Sequence, residues 1–266
     1  MIPSPWSFTF EPLYAVLGAA AAWLYLRAWR GSSPRPPTQR AWLFGLGVGL
    51  IVVALNSPLE TIAVEHLLLF HLLQNVAISD WAPPLILLGL TPAMRAGVAD
   101  RLGGWFAWLT RPAIALPVWL VGWYAIHLGP LYDAFLREPL LLNVEHAILI
   151  AIGLLFWWPV LCDAPRAVPT LGRIAYVFAA FVGSAFLGLA LTFSPPVYGY
   201  YEDLPERLWG ISAEADQNLG GILMSTEQAL VFLAAIVWLL LRLFREEEEA
   251  ERRLAAEQRA AGLRRW

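Results

Sequence analysis

Residues 65–92 read EHLLLFHLLQNVAISDWAPPLILLGLTP, and this stretch decides the fold class. It is long and apolar enough to cross a membrane, yet it carries two histidines, two carboxylates, a glutamine and an asparagine. An isolated polar side chain at that depth is costly, so a cluster of them indicates a functional site. On a helix, His71, Asn75 and Ser79 share one face, which Gln74 flanks. We therefore expect that face to contact protein or a cavity, not lipid.

The composition of the whole chain supports the same class. Hydrophobic residues make up 59% of the 266 residues and charged residues 15%, and the mean hydropathy is +0.58. These values are typical of a polytopic membrane protein. The single cysteine, Cys162, excludes an internal disulfide and a CxxC motif, and we expect it to fill space near a helix end. The amino-terminal residues show no basic stretch with a cleavage site, so we expect no cleaved signal peptide.

Seven apolar runs are long enough to span a bilayer, which takes about 17 to 25 residues. They lie near residues 11–28, 41–57, 64–89, 112–128, 140–161, 172–193 and 219–243. Pro83 and Pro84 remove two backbone donors from the third run and predict a kink there. The sequence thus predicts an all-α protein, with a seven-transmembrane helix bundle over residues 1–244 and a charged helical tail over residues 245–266.

Arginine predicts the orientation of the bundle, because basic residues accumulate on the cytoplasmic side of a membrane. All 18 basic residues are arginine. Only Arg137 and Arg207 fall on one side of the predicted spans, and the other sixteen fall on the opposite side or in the tail. The N-terminus is therefore expected outside and the C-terminus in the cytoplasm. The tail also carries acid-before-base pairs at four-residue spacing, Glu248 with Arg252 and Glu249 with Arg253.

All four histidines fall in the outer part of this predicted bundle. His66 and His71 lie on the third helix, His127 on the fourth and His146 on the fifth. From the helical rise, His71 and His146 each lie about 10 Å inside their helix entrances. Neutral imidazole is the commonest protein metal ligand, and bundles build metal sites from side chains at matching heights. The sequence therefore predicts a metal site at this level.

Other polar or soft side chains lie near the same level. The candidate metal ligands are His66, His71, His127, His146, Met224, Glu145, Asn75 and Gln74. This mixture suits copper better than magnesium or calcium, because soft thioether sulfur selects Cu(I). Met224 is alternatively a core residue, and Glu145 alternatively orients neighbouring ligands. Asp80, near the membrane middle, is expected to be a structural partner more often than a proton relay.

Motifs of several enzyme classes are absent from the sequence. It contains no HExxH, GxSxG, GxGxxG or Walker motif. We therefore expect no enzymatic activity, and nothing in the sequence indicates a nucleic-acid partner.

Three groups of motifs resemble the CtaG family of cytochrome c oxidase assembly proteins. They are HLLQN at 71–75 with APPLILLG at 82–89; HLGPLYDAFLREPLLLNVEH at 127–146 with GLLFWWP at 153–159; and LALTF at 189–193 with Tyr198, Tyr201, WG at 209–210 and DQNLGGILM at 216–224. In that family the first motif is usually His-Met-x-Gln-His and the last begins Asp-Gln-Gln-Leu-Gly-Gly. The resemblance covers about residues 60–240 in order.

This resemblance implies a bacterial inner-membrane protein that helps to assemble haem-copper cytochrome c oxidase by inserting or delivering copper. It implies oxidase subunits and the lipid bilayer as partners, with other copper chaperones as further candidates. The family's positions map onto His71, Gln74, His127, Glu145, His146, Asp216 and Gln217. The chain departs from the pattern at Asn75, where a second histidine is expected, and at Asp80, where an apolar residue is usual. His66 is a candidate replacement for the missing imidazole.

Two other functions remain open from the residues. A transporter for a small cation would use the polar stripe as a pathway and Asp80 as a midway site. A chaperone that binds oxidase helices without metal would need the histidines only for structure.

Overall fold

A computed structural model describes residues 3–263. Of the chain, 82% is helical, and no strand occurs among the described residues. The predicted all-α class is therefore confirmed. In chain order the helices are α1 Pro12–Arg30, α2 Thr38–Leu55, α3 Pro58–Glu65, α4 Leu68–Val76, α5 Ala82–Gly89, α6 Pro92–Leu109, α7 Pro112–Ile126, α8 Gly129–Arg137, α9 Pro139–Leu161, α10 Thr170–Phe193, α11 Gly199–Glu202 and α12 Ala213–Leu263.

Helices occupy all seven predicted spans. By length and hydropathy, α2, α9, α10 and α12 qualify singly as candidate membrane spans, and the number reaches six if each of two bent pairs forms one span. In the first pair, the segment from α4 to α5 is followed by α6, with a bend of 108° between them. In the second pair, α7 is followed by α8, with a bend of 70°. Helix α1 does not qualify, because tyrosine, tryptophan and arginine interrupt its apolar residues. The structure thus has four to six candidate spans, and a seventh stays a prediction.

The third predicted span is not one continuous helix. It is interrupted by the extended residue Leu67 and by a π-helical turn at Ala77–Trp81, between α4 and α5. Proline accounts for the second interruption, since Pro83 and Pro84 supply no N–H groups to the carbonyls one turn before them. The expected kink therefore takes the form of a widened turn, a feature that is frequent at functional sites.

Helix α9 packs directly against this widened turn. A Cβ on Gly153 would lie 2.2 Å from the carbonyl oxygen of Ser79 and 2.9 Å from Cγ of Pro83. Such a close approach requires a glycine, as at other tight helix contacts in membranes. The contact therefore holds α9, which carries His146, close to the segment that carries His71.

The start of α4 is capped by a residue from α12. The backbone N–H groups of Leu68 and Leu69 donate to the two carboxylate oxygens of Asp216, each at 2.8 Å. The first N–H groups of a helix lack intrahelical acceptors and favour a nearby negative charge. Asp216 therefore anchors the helix that carries His71 to α12.

Gln217, the next residue, anchors the segment that connects α10 to α12, residues 194–212. Its Oε1 accepts from the N–H of Val197 at 2.8 Å, and its Nε2 donates to the carbonyl oxygen of Pro195 at 3.0 Å. We call the end of the bundle that carries this segment and the four histidines the histidine end.

Arginines close the opposite end of the bundle. Arg40 and Arg95 donate to carbonyl oxygens at the end of α5, and Arg95 also donates to Leu161 at the end of α9, at 2.7 Å. Buried Arg173 donates to the carbonyl oxygen of Val160 at 2.8 Å. These carbonyls lie where a helix ends and where its dipole favours a cation. The arginines therefore satisfy backbone groups that would otherwise be unpaired.

Helix α12 continues without a break into the predicted tail. The expected pairs are present, with 2.5 Å between Arg252 and Glu248 and 3.8 Å between Arg253 and Glu249. Arg264 and Arg265 lie outside the described residues. The division of the chain after residue 244 stays a prediction.

Candidate metal centre

Two of the four histidines and one carboxylate meet inside the bundle. One donor atom from each of His71, Glu145 and His146 lies within 4.8 Å of the others. His71 is on α4, and the other two residues are on α9. All three side chains are buried. Within the described part of the chain, this is the only group of three or more His, Cys, Asp or Glu residues with such geometry.

Three donor atoms of this group have no hydrogen-bond partner. They are Nε2 of His71, Nε2 of His146 and Oε2 of Glu145. His71 Nε2 lies 3.6 Å from Oε1 of Glu145, and the centroids of the two imidazole rings are 6.0 Å apart. Because buried polar atoms are normally hydrogen-bonded, three orphaned atoms in one place need a partner. Two imidazoles and a carboxylate form a donor set that fits a copper, zinc or iron ion.

Two further predicted ligands, Asn75 and Gln74, donate hydrogen bonds to carboxylates. Asn75 Nδ2 donates to Oε1 of Glu145 at 3.1 Å. Gln74 Nε2 donates to the carboxylate of Glu60 and to the carbonyl oxygen of Ala54. Asn75 therefore orients the Glu145 carboxylate and leaves its Oε2 free, so the residue in place of the family's histidine still contributes to the group.

His66 lies apart from the group. The sequence predicts it on the same helix as His71, but α3 ends at Glu65 and α4 begins at Leu68. The spacing of a continuous helix therefore does not apply between the two histidines. His66 Nε2 instead lies 3.1 Å from the carbonyl oxygen of Pro3.

His127 lies beside the group without joining it. The ring of Tyr132 packs against both His71 and His127, with centroid distances of 5.2 and 5.7 Å. His127 Nδ1 donates to the carbonyl oxygen of Trp123 at 2.7 Å, and its Nε2 is buried without a partner. Met224, the remaining predicted ligand, is buried with the apolar core residues. The structure thus brings together imidazoles from two helices, those of His71 and His146. The ring of Tyr132 lies between His71 and the imidazole of His127.

A cavity of about 500 Å³ with both polar and apolar lining residues lies at the histidine end. Its lining includes Thr9, Glu11, Glu60, Glu65, Arg137 and Tyr200. Glu60 lines this cavity and accepts a hydrogen bond from Gln74, the neighbour of Asn75. Glu60 is not among the predicted site residues, because the third predicted span begins only at residue 64. Ser57 followed three residues later by glutamate is a helix-start pattern that would have indicated it.

Tyr201 of α11 reaches His71 from the connecting segment. Its hydroxyl oxygen is 3.0 Å from Nδ1 of His71 and 2.5 Å from the carbonyl oxygen of Ala63. The family resemblance included this tyrosine, but no periodicity in the connecting segment predicted that it would contact a histidine.

Comparisons with known proteins identify the family. A model described as cytochrome c oxidase caa3 assembly factor matches residues 22–246. An uncharacterized protein of Mycobacterium bovis and one of Mycobacterium tuberculosis are each 26% identical over 257 residues, which cover 89% of this chain and 38% of the relative. An uncharacterized protein of Mycobacterium leprae is 25% identical over 227 residues, covering 78% of this chain and 34% of the relative.

The chain thus spans somewhat more than a third of the length of these curated relatives. No solved structure matches it. The family model covers most of the chain, including all three residues of the donor group, and it confirms the resemblance seen in the motifs. The chain therefore belongs to the cytochrome c oxidase caa3 assembly factor family.

Proposed function

We propose that the protein assists cytochrome c oxidase assembly by holding copper at the outer side of a bacterial plasma membrane and passing it to an oxidase subunit. The observation that carries the proposal is the donor group of His71, Glu145 and His146, with its three orphaned atoms, in a chain of an oxidase assembly family. In this role the protein binds and transfers an ion without catalysing a reaction.

The proposed orientation follows from the arginines. With seven spans, an outer N-terminus and a cytoplasmic C-terminus, sixteen of the 18 arginines lie on the cytoplasmic side. The histidine end then faces outward, and so does the cavity that contains Glu11, Glu60 and Glu65. Carboxylates in a cleft raise the local concentration of cations. A copper ion would therefore enter from the side on which an oxidase subunit can receive it.

The donor set suits transient binding. Three protein donors leave at least one coordination position open, as in metal sites that exchange a ligand. A donor from an oxidase subunit could occupy that position before the ion is released. Among divalent first-row metals, copper binds nitrogen and oxygen donors most tightly, so copper should displace zinc from this group.

Copper retention by the purified full chain tests the proposal. The protein is loaded with copper in detergent, dialysed and analysed for bound metal, with excess zinc in a parallel sample. We expect about one copper per chain in the parent, because one group of donors is present. His71→Ala and His146→Ala should each lose most of it.

His66→Ala is the matched control, since His66 is also a buried histidine at this end of the bundle but lies outside the group. Met224→Leu tests the thioether and should retain copper, because Met224 lies among apolar core residues. If the parent retains no copper above background, the metal proposal is wrong and a metal-free chaperone becomes the better explanation.

A further inference from the structure

The hydroxyl group of Tyr201 determines which nitrogen of His71 carries hydrogen. A phenol has one proton to donate, and a backbone carbonyl oxygen can only accept. Ala63 lies in the last turn of α3, where carbonyls lack intrahelical partners. The 2.5 Å contact between its oxygen and the Tyr201 oxygen therefore requires the tyrosine proton between them. Otherwise two lone pairs would face each other.

The proton of Tyr201 is then not available to His71. The 3.0 Å contact between the tyrosine oxygen and Nδ1 of His71 must be made by an N–H group of the imidazole. A neutral imidazole has one N–H, so Nε2 keeps its lone pair. That atom is the one that lies 3.6 Å from Glu145 and has no hydrogen-bond partner.

We infer that Tyr201 is a positioning residue that holds His71 in the Nδ1–H tautomer, so that the Nε2 lone pair points into the donor group and can bind a transition-metal ion. The inference rests on the proposed function for its metal, but the tautomer itself is a property of the metal-free protein. Through Tyr201, the segment of residues 194–212 takes part in the metal centre without supplying a ligand. Hydrogen-bond partners of this kind usually change metal affinity by about 10- to 100-fold when they are lost.

Nitrogen NMR of histidine-labelled protein without metal tests the tautomer directly. The His71 signals are assigned by their loss in His71→Gln. We expect a protonated Nδ1 and an unprotonated Nε2 in the parent, and a shift toward the Nε2–H tautomer in Tyr201→Phe. Tyr198→Phe is the matched control, because Tyr198 is equally buried in the same segment and donates to the carbonyl oxygen of His127. It should leave the His71 signals unchanged.

Copper titration supplies the second readout. Tyr201→Phe should bind copper about 10- to 100-fold more weakly than the parent, and Tyr198→Phe should match the parent. A parent protein with hydrogen on Nε2 of His71 would overturn the inference, and so would an unchanged tautomer in Tyr201→Phe. If the parent shows the expected tautomer but binds no copper, the proposed function fails and the role of Tyr201 stands. The parent spectrum decides the question even if Tyr201→Phe does not fold.

Discussion

Replacing Gly153 with alanine should destabilise the bundle strongly. The added Cβ would lie 2.2 Å from the carbonyl oxygen of Ser79 and 2.9 Å from the ring of Pro83. Overpacking of a core typically costs about 1–3 kcal/mol. Here the obstacles are a backbone carbonyl and a proline ring, which cannot rotate away as a flexible side chain can, so we expect about 3 kcal/mol. For a chain of this size each kcal/mol lowers the melting temperature by about 2–4 °C, which gives a decrease of about 6–12 °C.

The single cysteine supplies the assay. Cys162 is buried, so a dye that fluoresces on reaction with a thiol reports unfolding as the protein is heated in detergent. Gly45→Ala is the control, because a Cβ at that position on α2 would have no atom within 4 Å apart from its chain neighbours and the nearby backbone of its own helix. Alanine is also about 1 kcal/mol more favourable than glycine in a helix, so the control should melt at or above the parent's temperature.

The functional readout follows from the position of Gly153 on α9. Moving α9 away from the widened turn would separate His146 from His71, so Gly153→Ala should also retain less copper than the parent. If Gly153→Ala melts at the parent's temperature while Gly45→Ala behaves as expected, the close contact between α9 and the turn is wrong.

Three further predictions concern other contacts. Asp216→Ala removes both acceptors at the start of α4 and should cost about 1–2 kcal/mol, seen as a lower melting temperature; an unchanged melt would refute the cap. Cys162 should not react with maleimide at pH 8 in the folded protein, because burial raises the pKa of its thiol to about 12. The denatured protein should be labelled, and mass spectrometry measures the label in both states. Arg252→Ala should leave the melting temperature unchanged, because its partner Glu248 and the arginine itself are both exposed; a clear decrease would show that the tail packs against something.

The sequence predicts one depth for His71 and His146 by counting residues from the entrances of their predicted spans, and the structure brings the two side chains together. Counting residues from a helix entrance gives depth, and equal depth brings inward side chains together. The chain leaves the helical path between Glu65 and Leu68, so the count to His71 is inexact and His66 does not share a helix with His71. A carboxylate from α12 caps the helix that follows this break, and periodicity within one segment carries no information about that contact.

The roles of polar neighbours were harder to predict. Asn75 stays a predicted ligand, and its Nδ2 also donates to Glu145, a pairing that depends on how α4 and α9 are rotated against each other. Tyr201 lies in a connecting segment with only one short helical turn, so no pattern predicts where its hydroxyl group points. The widened turn at Ala77–Trp81 could be predicted only as a kink. The two prolines show that two N–H groups are missing, but they do not determine the geometry of the turn that results.

The cap on α4 has a consequence for biogenesis. Asp216 lies 148 residues after Leu68, whose N–H group donates a hydrogen bond to it, and a ribosome makes the amino-terminal part of a protein first. While the earlier helices enter the bilayer, the histidine-bearing helix still lacks the charge that stabilises its beginning. The three donor residues lie on earlier helices, but the cap that supports the proposed metal site can form only after the start of the last helix has been translated.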